Sequence, residues 1–147
     1  MQIKTVNSTK EIQRIVPVFI KIFGSTPFNE KWSIDQAYKR LLFLHSLGKK
    51  FCFYIVESNE ILGFMFCRVM VWPEGYRIFV EDMGVLPEHQ HKGLGKLLIE
   101  ELEKQASIFG IKTIELEILD ESTGASFWPK FGYKYSKRKV FSKTIIQ

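Results

Sequence analysis

PEHQHKGLGKLLIEELEKQ, from Pro87 to Gln105, is the stretch on which the fold turns. A short loop broken by Gly93 and Gly95, with Lys92 and Lys96 beside them, opens straight into a helix. Leu94, Leu97, Leu98, Leu102, Ala106 and Phe109 recur at helical spacing, and Gly110 supplies the stop. Upstream, YRIFVEDMGV (Tyr76–Val85) reads as a strand, and downstream KTIELEIL (Lys112–Leu119) reads as another. Strand, helix, strand makes a βαβ unit, which requires parallel strands and a right-handed crossover.

The rest of the chain is assembled around that unit. IKTV (Ile3–Val6) reads as a first strand. The run from Ser8 to Gly24 reads as a helix capped by Ser8 or Thr9, with Pro17 expected to kink or split it. Ser25–Trp32 is a loop, and Ser33–Gly48 is a second helix, with Ser33 and Gln36 forming a capping box. FCFYIVE (Phe51–Glu57) and ILGFMFCRVMVW (Ile61–Trp72) flank a turn at Ser58–Asn59–Glu60 and predict a hairpin. A short helix is expected within STGASFWPKFG, and YKYSKRKVFSK (Tyr133–Lys143) reads as a last strand. The order β-α-α-β-β-β-α-β-α-β predicts a single mixed α+β domain over residues 1–147, its sheet antiparallel outside the βαβ unit.

Composition narrows the function classes. At 147 residues and 46% hydrophobic, the chain is long enough for one well-packed core. No apolar run has the length of a membrane span, and MQIKTVNSTKEIQ lacks the apolar core of a secretory signal. Cys52 and Cys67 sit in apolar runs and read as buried reduced thiols, so the expected compartment is cytoplasmic. The net charge of +5 suits an anionic ligand. The cations are spread out apart from KYSKRK, without an aromatic-interleaved stripe, so neither a nucleic-acid nor a membrane partner is expected.

The glycine loop has a physical reading. A helix start carries free N–H groups and partial positive charge, which suits phosphate, and glycines let the backbone approach closely. The dinucleotide fingerprint would need a third glycine at Leu98, and the GxxxxGK-Ser/Thr loop is absent. What stands is Gln-x-x-Gly-x-Gly at Gln90, Gly93 and Gly95.

That string, preceded by Val-x-Pro-Glu at Val85–Glu88 and followed by an aromatic-x-x-x-Gly-aromatic pattern at Trp128, Gly132 and Tyr133, resembles the GNAT superfamily of acetyl-CoA-dependent N-acetyltransferases. The element order is similar to that family's along nearly the whole chain. The resemblance implies a GNAT-like acyl-CoA N-acyltransferase fold, a central mixed sheet flanked by helices. It implies acetyl-CoA as co-substrate, with no metal. It places the pyrophosphate on the segment Gln90, His91, Lys92, Gly93, Leu94, Gly95 and Lys96, and the pantetheine arm along Met83, Gly84 and Val85 like an added strand. His91 stands where the family often has Gly, and Trp128 where it often has a Tyr that protonates the leaving thiolate. Tryptophan has no such proton, so Trp128 reads as a wall beside the thioester, and a thiol of pKa about 8.5 can leave without a dedicated acid.

Transfer to an amine needs the neutral nucleophile. An alkyl ammonium has a pKa of about 10.4, so its deprotonation at pH 7 costs roughly 4–5 kcal/mol. Glu81 and Asp82 are the candidate bases, Glu81 acting through water and Asp82 second, because two acids inside a strand run against strand composition. Side chains alternate along a strand, so the two face opposite ways unless a bulge near Gly84 turns one. In the family the loop TPFNEKW borders the acceptor pocket. Glu30 and Trp32 are therefore candidate acceptor contacts, and with the acid pair they favour a small cationic amine, polyamine-like or aminoglycoside-like. Protein N-terminal or lysine acceptors stay open, as does a CoA-binding sensor without turnover, motivated by Trp128. His89 and His91 show no third metal ligand, and His45 reads as packing or surface. The resemblance also allows a homodimer.

Overall fold

The computed structural model describes residues 1–119 and 122–146. It forms two units, Met1–Glu117 and Ile118–Gln147. The first holds strands β1 (Gln2–Thr5), β2 (Cys52–Glu57), β3 (Glu60–Trp72), β4 (Gly75–Val85) and β5 (Thr113–Leu116), with helices α1 (Thr9–Phe23), α2 (Ile34–Leu47) and α3 (Leu94–Ile108). The second holds a short helix, α4 (Gly124–Phe127), running into a 3-10 turn at Trp128–Phe131.

Local chemistry explains most boundaries. Ser8 caps α1 through its side chain. Both halves of the α2 capping box form: the Ser33 and Gln36 backbone N–H groups each donate to the other residue's side chain at 3.1 Å. Ser58 and Asn59 take left-handed φ values of 48° and 64°, making the tight β2–β3 turn. Pro17 does not split α1, which runs unbroken for 15 residues. The proline lies on the exposed side while Ile15, Val16 and Phe19 are buried around it, so packing holds the helix through the missing hydrogen bond.

The sheet has the order β1-β2-β3-β4-β5. The first three pairings are antiparallel and β4–β5 is parallel, as the βαβ reading requires. Residues 52–55 of β2 are all buried, so both faces of the sheet are covered. Cys52 and Tyr54 join the core formed with α1 and α2, where Phe19 and Phe64 sit, while α3 packs on β2, β3 and β4. Cys52 and Cys67 are free and buried, and burial pushes the Cys52 thiol up to about 12. No helix among the described residues is long and apolar enough to cross a membrane.

The expected last strand does not form. Residues 133–146 carry no regular structure, and Tyr135 and Phe141 are almost fully exposed. Lys137, Arg138 and Lys139 in succession interrupt the alternation that would give a sheet one apolar face to bury.

Gly48 ends α2 against β3. A Cβ there would lie 1.9 Å from the Cys67 carbonyl oxygen. Gly48→Ala is expected to force the two elements apart and cost about 1–3 kcal/mol, lowering Tm by several degrees in a thermal melt.

Candidate active site

The site lies where β4 changes its pairing. Through Val80, β4 pairs with β3 on one side and β5 on the other. Among the described residues, β4 from Glu81 onward pairs with β3 alone. The backbone of Glu81–Val85 therefore presents an open edge, and open edges accept an extended ligand as an added strand. Met83, Gly84 and Val85 lie on this edge, opposite Met65, Phe64 and Gly63. Gly84 also lacks a side chain for a packing reason: a Cβ would meet the Ile22 side chain of α1 at 2.8 Å.

The edge leads directly into the glycine loop. Pro87–His89 form a 3-10 turn, and the Gln90 N–H donates to Pro87 O at 3.3 Å. The Gln90 side chain turns back and donates to Val85 O at 3.1 Å, tying the loop to the strand. His91 and Gly93 are both left-handed, with φ of 62° and 81°. Open space surrounds the place of a Gly93 Cβ, so glycine is needed there for its conformation rather than for room. The first i→i−4 bond of α3 is donated by Leu97 N–H to the carbonyl of the N-cap Gly93 at 3.2 Å, and no side chain caps the helix. Helix geometry therefore turns the amides of Leu94, Gly95 and Lys96 outward, and Lys92 and Lys96 add exposed charge. These features fit the phosphates of a nucleotide-bearing thioester. Trp128 belongs to the smaller unit, where it is buried and its ring stands edge-on to Phe127 and Tyr133.

The acidic pair is arranged differently from simple alternation. In the β3–β4 ladder, Phe66 pairs with Asp82 and Cys67 with Val80, leaving Glu81 as the extra residue of a bulge. The bulge lies at Glu81 rather than Gly84, and it brings both acids within reach of one cation. Arg40, on α2, grips Asp82 with two hydrogen bonds, Nε to Oδ2 at 2.7 Å and Nη2 to Oδ1 at 3.0 Å. Its Nη2 is also 4.0 Å from Glu81 Oε2. Arg68 of β3 bonds Glu81 Oε1. From the loop after α1, Trp32 Nε1 donates to Glu30 Oε1 at 2.8 Å, and the Arg40 guanidinium stands 5.6 Å from the Trp32 ring centre. Glu30, Trp32, Glu81 and Asp82 thus belong to one cluster, and sequence reasoning missed its two arginines. Signals existed for both: Arg40 sits among buried Ala37, Leu41 and Leu44 at helical spacing, and Arg68 is the lone charge in the apolar run Ile61–Trp72.

Asp82 is the buried charge of this cluster, with 6% of its surface exposed. Burial pushes its carboxyl above the usual carboxylate range, outweighing the hydrogen bonds and charge of Arg40, while Glu81 and Glu30 push the same way. Seen from Arg40, the contact is favourable: the hydrogen bond to Asp82 holds the guanidinium charged against its partial burial.

The chain belongs to the acetyltransferase (GNAT) family, whose sequence model matches residues 17–133. The family uses acetyl-CoA as co-substrate. The chain is 29% identical over 79 residues to the [ribosomal protein bS18]-alanine N-acetyltransferase of Haemophilus influenzae, a match covering 54% of this chain and 51%, about half, of that protein. Its fold is similar to a possible acetyltransferase from Clostridium difficile 630, with TM-score 0.81, 13% identity, and 99% and 98% of the two chains covered. It is also similar to an aminoglycoside acetyltransferase from an uncultured soil metagenomic sample, with TM-score 0.74, 16% identity, and 99% and 96% covered.

Arg40→Met would leave Asp82 buried without its partner. The expected loss near pH 7 is about 2–3 kcal/mol, below the usual cost for a fully buried pair because the Arg40 side chain is 36% exposed. A carboxyl whose folded pKa is raised binds its proton more readily folded than unfolded, so stability returns as pH falls. Urea unfolding of the variant and the parent should show the deficit narrowing from pH 7 to pH 5. A deficit that widens on acidification contradicts this account of Asp82.

Proposed function

We propose that the protein transfers the acetyl group of acetyl-CoA to the primary amine of a small cationic acceptor, polyamine-like or aminoglycoside-like. The observation that carries this reading is the position of the Glu30–Glu81–Asp82 cluster beside the open edge of β4, with that edge running into the glycine loop.

Acetyl-CoA, when bound, supplies a thioester carbonyl as the electrophile. The amides of Leu94, Gly95 and Lys96, with Lys92, hold the pyrophosphate, and the edge at Met83–Val85 takes the pantetheine arm. A backbone N–H near Met83 donates to the carbonyl oxygen as charge gathers there. Glu81 removes the ammonium proton through water, with Asp82 the second candidate. A carboxylate close to an ammonium also stabilises its charged form, so proton removal requires a path leading away from the acid. A protein N-terminus is the second reading of the acceptor, supported by the name of the Haemophilus influenzae relative.

Thermal unfolding with acetyl-CoA, with CoA and with neither tests the cofactor half. A ligand at 100 times its Kd should add about 2.7 kcal/mol, a shift of several degrees. Gly95→Glu, which puts bulk and negative charge at the helix start, should abolish that shift. Glu81→Gln should keep it and lower turnover by about 10²–10⁴-fold in an assay of CoA release across a panel of amines. Unreduced turnover in Glu81→Gln would move the base to Asp82 or to water. No CoA release with any amine or N-terminal peptide would remove the transferase reading.

A further inference from the structure

Three carboxylates and two guanidiniums meet at the acceptor side of the site: Glu30 from the α1–α2 loop, Arg40 from α2, Arg68 from β3, and Glu81 and Asp82 from β4. Their formal charges sum to −1. The carboxylates are not equivalent. Both oxygens of Asp82 are taken by Arg40, at 2.7 and 3.0 Å, and the residue is buried. An acceptor ammonium could reach Asp82 only by displacing a guanidinium held in a bidentate grip. Glu81 gives Oε1 to Arg68 and keeps Oε2 at 4.0 Å from Arg40, beyond hydrogen-bond reach. Glu30 gives Oε1 to Trp32.

We infer that Arg40 is a positioning residue that sets acceptor specificity: by cancelling Asp82 in a neutral clasp, it makes Glu81, aided by Glu30, the carboxylate that meets the acceptor's cation. This rests on the acceptor pocket of the reading above and names which of its acids the acceptor sees. The bulge is what makes the arrangement work. It leaves Glu81 out of register, where it contacts Arg68 and approaches Arg40, while Asp82 pairs in register with Phe66 and anchors α2 to the strand through Arg40. Arg40 then has two effects on an incoming cation. It withdraws Asp82 as a competing ligand, and its own charge, beside the Trp32 ring and near Glu81, limits how many positive charges the pocket accepts.

The clasp makes a prediction that a direct role for Asp82 does not. Asp82→Asn frees the charge of Arg40 next to Glu81 and brings the cluster to neutrality. Arg40→Gln/Asp82→Asn removes both charges and restores −1. Binding of 1,3-diaminopropane, spermidine and kanamycin would be measured by calorimetry in the presence of CoA, and acetyl transfer to the same amines would be assayed in parallel. Thermal melts would confirm that each variant is folded. For whichever amine binds the parent most tightly, Asp82→Asn should weaken binding about tenfold. The double variant should return to within about threefold of the parent, an order of recovery set by the same charge balance. Rescue by a second deletion is something a role for Asp82 as amine ligand or base would not produce, and a purely structural pair would show its loss and recovery in the melting temperature rather than in amine affinity among equally folded variants. A double variant as weak as Asp82→Asn overturns the inference, as does unchanged binding in Asp82→Asn, or no amine binding to the parent. Amine binding with rescue but without acetyl transfer would uphold the inference and remove the transferase reading.

Discussion

The constraint from which the rest follows is that β4 pairs with two strands along one part of its length and with one along the other. Up to Val80 it is a central strand with hydrogen bonds on both sides, and beyond that point one side is open among the described residues. A strand that loses a neighbour keeps its course only if something else fixes it. Here the bulge at Glu81 sits at the change, and α2 reaches across through Arg40 to hold the adjacent Asp82. α1 holds the far end, because Gly84 lets Ile22 come close. The edge left open among the described residues is therefore held by contacts from β3, α1 and α2, which would suit the ligand-binding role proposed for it.

Much of this was legible in the residues. The βαβ unit, the hairpin turn and the capping box each rest on local chemistry that a short stretch carries by itself: helical spacing, left-handed turn residues, and a Ser and Gln three apart. Pro17 does not split its helix, because its penalty is local while the packing that absorbs it comes from residues distant in sequence. The acidic pair was visible as an anomaly of composition. Which way each acid points was not, since a bulge depends on a register between two strands. Arg40 and Arg68 were hidden for a related reason. A lone cation in an apolar stripe signals a buried partner, but its identity lies on another element. The last strand failed in the other direction, because alternating aromatics attract a strand reading and only the absence of a face to bury reveals that they lack one.

Under the proposed function, the cluster would also ease a tension in amine chemistry. Negative charge is needed to attract an ammonium, yet the same charge raises its pKa and opposes its activation. Three unpaired carboxylates would bind a cation well and hold its proton firmly. Pairing two of them with arginines keeps the shape of an acidic site and reduces its field, so the proposed acceptor would meet one net charge. In a partly desolvated site that difference is large, because the energy of each added charge scales inversely with the local dielectric.

Whole-chain charge points the wrong way for this reason. All sixteen acids lie at or before Glu121, and six of the twenty-one cations follow it, so residues 1–121 sum to −1 and residues 122–147 to +6. The excess that makes the protein basic is a property of its last segment, not of the cluster around Glu81. The loop proposed to face phosphate would need few side-chain charges, since amides at a helix start supply most of the field. A pI of 9.2 is therefore compatible with an acceptor pocket that is net acidic. In the proposed function, the quantity that governs what such a pocket binds is the balance among Glu30, Arg40, Arg68, Glu81 and Asp82, and neutralising any one of them shifts a local sum of −1 by a full charge.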